Sequence, residues 1–195
     1  MKKRIIAAIT GASGAIYGKL LLQRLNVLAE QVEVCAIVIS ENAHAVWQFE
    51  LGEEPGVTID KLVNLNTRLY APANYFASIA SGSAGYDAMM VCPCTMGTMG
   101  RIATGISSDL LTRAADVMLK ERKRLVLVPR EAPYNLVHLQ NMKLLTEAGA
   151  IICPASPSFY SKPASLDELA LTVVDRVLAL AGFEMDSFRW GEHQV

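Results

Sequence analysis

The sequence predicts an α/β protein built on an open parallel sheet with helices packed on both faces. Three observations predict it. Short apolar runs end repeatedly in small or polar residues, and a stretch with helical apolar spacing follows most of them. The composition, 52% apolar and only 19% charged, suits a sheet buried on both faces or subunit surface buried in an oligomer, and we expect both. At 195 residues the chain forms one domain, 1–195, large enough for a substantial core.

The elements follow in order. Residues 5–9 form a buried first strand ending in Thr10-Gly11-Ala12-Ser13-Gly14, and Ile16, Leu20, Leu21 and Leu25 then recur at helical spacing. Residues 34–39 are the second strand, with Ser40 placed to cap a helix beginning near Asn42. Residues 52–85 are an irregular excursion with short strands expected at 59–62 and 67–70. The sheet resumes at 89–92 and is expected to break at Pro93. Helices follow at 95–104 and 108–121, a strand at 125–128, a helix at 136–148, a strand at 151–153 and a last helix at 166–181.

Several function classes are excluded. Net charge is −1, and no Lys/Arg cluster extends beyond the short run 120–124, which reads as a solvated helix end, so nucleic acid is not an expected partner. The apolar run after Met1-Lys2-Lys3-Arg4 is too short for a signal peptide, and no run approaches a membrane span. Cys35, Cys92, Cys94 and Cys153 fit neither a disulfide framework nor a zinc site, so reduced thiols and a cytoplasmic location are expected. His44, His138 and His193 share no ligand spacing, and no metal is expected.

Ligands of open parallel sheets bind beyond the carboxyl ends of the strands. Here those ends are 11–13, 40, 93–98, 129–131 and 154–160, all rich in small, hydroxyl-bearing or charged residues. Gly11-Ala12-Ser13-Gly14 is either a turn that brings backbone amides to an anion or a tight turn capped by Ser13. The full dinucleotide fingerprint is absent, which favours a mononucleotide such as FMN over NAD. Thr95, in Cys92-Pro93-Cys94-Thr95-Met96-Gly97-Thr98, is a ligand-binding hydroxyl or a helix cap. Arg130 and Glu131, between Pro129 and Pro133, are more telling: the guanidinium can grip a phosphate or a carboxylate and the carboxyl can move a proton, although a surface salt bridge is the plain alternative. Arg113 and Lys120 lie seven apart and share a helix face, Lys120 near a solvated end. Tyr160 presents a phenol from the loop 157–163.

In this order the segments resemble the flavin prenyltransferase family of UbiX and Pad. The likeness rests on Thr10-Gly11-Ala12-Ser13-Gly14-Ala15, Ala80-Ser81-Gly82-Ser83, Cys92-Pro93-Cys94-Thr95 and Arg113-Ala114-Ala115-Asp116-Val117. It continues through Leu119-Lys120-Glu121-Arg122, Val126-Leu127-Val128-Pro129-Arg130-Glu131-Ala132-Pro133 with His138-Leu139, Phe159-Tyr160 and Arg189-Trp190-Gly191-Glu192. The resemblance implies a flavodoxin-like three-layer α/β/α fold, Rossmann-like in its open parallel sheet, and a homo-oligomer, typically a dodecamer, with FMN between subunits and residues 183–195 packing on a neighbour. It implies that reduced FMN is joined at N5 and C6 to a dimethylallyl group from dimethylallyl phosphate or pyrophosphate. The product would serve a UbiD-type decarboxylase, in ubiquinone synthesis or phenolic-acid breakdown, and no metal would be required.

Carried over by motif, Gly11, Ala12, Ser13, Ser40, Thr95, Met96, Gly97, Thr98 and Arg130 would hold FMN, with Ser13 near N5. Arg113, Lys120, Arg130, Tyr160 and Arg176 would surround the substrate phosphate. Ser13, Glu50, Lys120, Glu131 and Trp190 would be catalytic, Glu131 moving protons near the leaving phosphate and Glu50 lying close by. Trp190 and Tyr75 would wall the prenyl pocket. Two other readings stand beside this one: an FMN-dependent cysteine decarboxylase, of whose motif Pro72-Ala73-Asn74 is a fragment, and a non-catalytic FMN carrier or assembly subunit.

Overall fold

The computed structural model describes residues 1–185. Its elements in chain order are β1 (Lys3–Ile9), α1 (Ala15–Val27), β2 (Val32–Ile39), α2 (Glu41–Leu51), α3 (Pro55–Ile59), β3 (Thr67–Tyr70), β4 (Ala88–Cys94), α4 (Met96–Ala103), α5 (Leu110–Lys120), β5 (Arg124–Pro129), α6 (Leu136–Glu147), β6 (Ile151–Ile152) and α7 (Leu166–Leu180). The six strands form one sheet in the order β3-β2-β1-β4-β5-β6, parallel throughout. It is the flavodoxin-like three-layer arrangement.

Alternation along the strands divides the core in two. Ile5, Ala7 and Ile9 face the layer of α1, α2 and α7, where Leu21, Leu25, Trp47, Val174 and Leu178 are buried. Ile6 and Ala8 face the layer of α4, α5 and α6, where Met99, Leu111, Ala114, Met118 and Leu145 are buried. Fully burying one such Leu or Ile contributes about 1.5–3 kcal/mol, so neither layer can be lost without the fold.

Two local expectations are corrected. Residues 59–62 are not a strand: α3 ends at Ile59 and hydrogen-bonded turns carry the chain on to β3, while Leu62 and Leu65 are buried against the sheet face. Pro55 starts α3 at its first helical position, where a missing N–H is harmless. Nor does β4 stop at Pro93. It runs to Cys94, with a register irregularity between Val91 and Cys94 that accommodates the proline.

β1 pairs with β2 on one side and β4 on the other, so the strand order reverses there and opens a crevice at the carboxyl edge. Thr10, almost fully buried, stitches that point. Its hydroxyl donates to the Pro93 carbonyl (2.8 Å) and accepts from the Thr95 amide (2.8 Å).

Candidate functional site

The glycine turn after β1 is built by close approach. A Cβ on Gly11 would fall 2.8 Å from Cβ of Asn42, and Gly14 takes φ 102°, a left-handed conformation suited to glycine. Gly14, not Ser13, is the N-cap of α1, and no side chain of its own caps it. Glu50 does so from the far end of α2. Its carboxylate accepts from the Gly14 amide (2.9 and 3.1 Å to the two oxygens) and from the Ala15 amide (2.7 Å). Asn42 meets Gly11 at one end of α2 and Glu50 meets Gly14 at the other, so α2 lies across the turn.

The α1 terminus therefore already carries an anion. Burial opposes the charge on Glu50, but donation from the Ser13 hydroxyl, the Ala15 and Gly14 amides and the nearby Arg130 guanidinium outweigh it, and the carboxyl is held below its ordinary range. Arg130 closes the group: its Nε donates to the Ser13 carbonyl at 2.8 Å. Tyr17 packs beside them, its ring against Gly14, and burial, with Cys92 nearby, keeps the phenol neutral against the pull of Arg130. Ser13, Glu50 and Arg130 thus converge. Sequence reasoning did not place Tyr17 in the site.

Two more helix N-termini reach the same edge. Ser40 caps α2, accepting from the Ala43 amide, and Thr95 caps α4, accepting from the Thr98 amide (3.1 Å) while donating to the Thr98 hydroxyl (2.9 Å). A Cβ on Gly97 would meet nothing within 4 Å, so the first turn of α4 faces open space with free backbone donors. Amides, hydroxyls and Arg130 around an open turn at a strand crevice suit a flavin mononucleotide, whose phosphate and ring carbonyls are acceptors. Among the described residues no cluster of His, Cys, Asp and Glu could hold a metal ion.

A cavity of about 530 Å³ opens beyond β6, lined by Cys153, Pro154, Ser156, Ser158, Thr172 and Arg176 among others. Its walls are fixed: Ser158 N–H donates to the Thr172 hydroxyl (2.9 Å), and Asp175 pairs with Arg24 of α1 through two hydrogen bonds (2.8 and 2.9 Å). Tyr160 is exposed on the neighbouring loop. Glu131 is exposed and accepts from the next amide, Ala132 (3.0 Å). Tyr75 is half-exposed and donates to the Ser107 carbonyl (3.1 Å).

Other residues are not gathered in one protomer. Arg113 points to the Ala80 carbonyl (3.1 Å) and to Asp116 (3.0 Å). Lys120, paired with Glu121 at 3.3 Å, ends α5 at the amino edge of the sheet, the length of β5 away from Arg130; six strand residues span about 20 Å. Trp190, the Arg189–Glu192 motif and most of the tail 183–195 lie outside the described residues.

This edge, with its open α4 turn and phosphate-compatible donors, defines a flavin-binding class of α/β protein, and the comparisons with known proteins agree. The family model described as Flavoprotein matches residues 1–178. Flavin prenyltransferase UbiX of Methanothermobacter thermautotrophicus is 44% identical over 187 residues, covering 96% of this chain and 94% of the relative. A crystal structure of AnUbiX (PadA1) in complex with FMN and dimethylallyl pyrophosphate superposes with a TM-score of 0.90 at 38% identity, covering all of both chains. A dodecameric FMN-dependent UbiX-like decarboxylase from Escherichia coli O157:H7 gives 0.88 at 38% identity, covering 96% of this chain and 98% of that one. The chain belongs to the flavoprotein family, in its UbiX flavin prenyltransferase branch.

Proposed function

We propose that this protein is a flavin prenyltransferase that joins the dimethylallyl group of dimethylallyl phosphate or pyrophosphate to N5 and C6 of reduced FMN. The observation that carries this reading is the convergence of Ser13, Glu50 and Arg130 beside the open α4 turn, in a chain 44% identical to a UbiX. Reduced FMN supplies the nucleophilic ring positions. Gly11, Ala12, Ser40, Thr95, Met96, Gly97 and Thr98 cradle it. The Ser13 hydroxyl gives its hydrogen to Glu50, so its lone pairs are free to accept from the ring edge. Arg130, tied at Nε, offers its outer nitrogens to phosphate; Arg176 and Tyr160 complete the grip, and Glu131 moves a proton on the leaving phosphate. Tyr75 and Trp190 wall the prenyl group in a water-poor pocket.

The working form is a homo-oligomer, a dodecamer on the pattern of the Escherichia coli relative. Leu136, Val137, Leu139 and Leu144 of α6 are exposed while only Leu145 of that helix is buried, an apolar face suited to a neighbouring copy. In that assembly Arg113 and Lys120 reach the phosphate of an adjacent protomer's site. We place the enzyme in the cytoplasm, supplying prenylated FMN to a UbiD-type decarboxylase; no helix of the described residues is long and apolar enough to cross a membrane.

The test is anaerobic incubation with reduced FMN and each prenyl donor, followed by mass spectrometry of the released flavin. A flavin heavier by one C5 unit is the expected product. Unmodified flavin with both donors, from a protein that binds FMN, would overturn the transferase reading and turn attention to cysteine-peptide decarboxylation.

A further inference from the structure

Thr98 is almost fully buried, yet its hydroxyl accepts twice, from the Thr95 hydroxyl at 2.9 Å and from Nη2 of Arg101 at 3.2 Å. A hydroxyl has two lone pairs and one hydrogen. With both lone pairs engaged, only the hydrogen is left to offer, and among the described residues it has no acceptor. Thr98 lies in the first turn of α4, and the residue before it, Gly97, is exposed with open space beside it.

Arg101 is itself held in place. Its Nη1 donates to Asp109 (2.6 Å) and to the Ser108 hydroxyl (2.8 Å). Asp109 is the N-cap of α5, accepting from the amide and the hydroxyl of Thr112, each at 2.8 Å. A guanidinium fork spans two such partners with fixed geometry, which an ammonium cannot do. The chain of contacts therefore runs from the α5 cap through Arg101 to the Thr98 hydroxyl.

We propose that Arg101 is a positioning residue that makes the Thr98 hydroxyl a one-way donor toward an acceptor oxygen of the ligand bound at the α4 turn. The proposal rests on the reading that this ligand is FMN. Arg101 does not touch the ligand; it orients the group that does. Losing it lets the Thr98 hydrogen turn inward, so the ligand loses one oriented hydrogen bond.

The experiment is equilibrium titration of FMN with the purified apo chain, read by flavin fluorescence, for wild type, Arg101→Met, Thr98→Val and the double variant. One net hydrogen bond corresponds to about a fivefold change in Kd. Arg101→Met is expected to weaken binding by about that factor in the wild-type background and to have no further effect once Thr98 is valine. Equal losses in both backgrounds, or no loss, would overturn the proposal, because a purely structural Arg101 lowers thermal stability without depending on the Thr98 hydroxyl. Should Arg101→Met not fold, Arg101→Lys keeps a charge beside Asp109; it is expected to fold and still bind FMN more weakly, and wild-type affinity would refute the role. Wild-type protein that fails to bind FMN would overturn the flavin reading and this proposal together, whereas tight wild-type binding with additive variants sinks this proposal alone.

Discussion

Replacing Glu50 with alanine removes the carboxylate that accepts from the α1 terminus, leaving the Gly14 and Ala15 amides to water. Loss of a side-chain cap costs about 0.5–2 kcal/mol, and the carboxylate adds about 0.3–1 kcal/mol by its charge against the helix dipole. Glu50 is exposed, so solvent screens that charge and can replace its hydrogen bonds. A net loss of about 1 kcal/mol follows, or about 2–4 °C in Tm for a chain of this size. Thermal melts by circular dichroism, at one fixed chain concentration because oligomerisation shifts Tm, would measure it. Glu50→Gln, which still accepts but carries no charge, should fall between.

The pH dependence has a definite sign. The folded carboxyl is held below its ordinary range, so its stabilisation is complete above the unfolded value, about 4.3, and is lost as pH falls through the folded value. The gap between wild type and Glu50→Ala should therefore be constant at neutral pH and close in acid. The freed amides should also make the variant's Tm rise more steeply with added sulfate than that of wild type. Melting of Glu50→Ala indistinguishable from wild type at pH 7, with equal sulfate response, would refute the reasoning.

Gly14→Ala forces a left-handed φ of 102° on an L residue and sets its Cβ 2.8 Å from the Tyr17 ring; a cost of about 1–3 kcal/mol should appear as a lowered Tm in the same melts. Arg130→Leu removes the 2.8 Å tie to the Ser13 carbonyl and should weaken FMN binding by about tenfold or more, the scale of a charge-assisted bond, when measured by fluorescence titration. In Asp109, burial opposes ionisation, but the Thr112 donors and Arg101 overcome it and hold the carboxyl low. Asp109→Asn should thus be less stable than wild type at neutral pH, and the difference should shrink as pH falls below about 3.9. Burial pushes the Cys35 and Cys94 thiols up to about 12 and raises Cys92 too. Alkylation of the native protein, read by mass spectrometry, should therefore mark the half-buried Cys153 first, and the other three only after unfolding.

Local pattern carried far in this chain. Apolar runs bounded by Gly, Pro and Ser located the strands around 5–9, 34–39, 89–92 and 125–128, because a strand buried on both faces has nowhere to place polar groups. Ser40 and Thr95 were legible as caps because capping is a contact between residues three apart. The carboxyl edge followed from strand grammar alone, and motif order indicated the family. Local pattern failed at 59–62, where Ile59 and Leu62 flanking Asp60 and Lys61 fit a helix end and turn as well as a strand, and at Pro93, where a register irregularity admits a proline.

What only the tertiary structure decided is which of these pieces meet. Glu50 reaches Gly14 across 36 residues and Arg130 reaches Ser13 across 117, distances over which no periodicity speaks. The anion on α1 turned out to be the protein's own carboxylate rather than a ligand's, because α2 lies across the turn. Arg101 and Asp109 carry no signal in the sequence and meet because the fold brings the α4 and α5 termini side by side. Lys120, read from its motif beside Arg130, stands at the other edge of the same sheet. The physical reason is common to all: sequence spacing dictates which side chains share a face of one element, while strand order and helix direction dictate which ends of different elements share an edge.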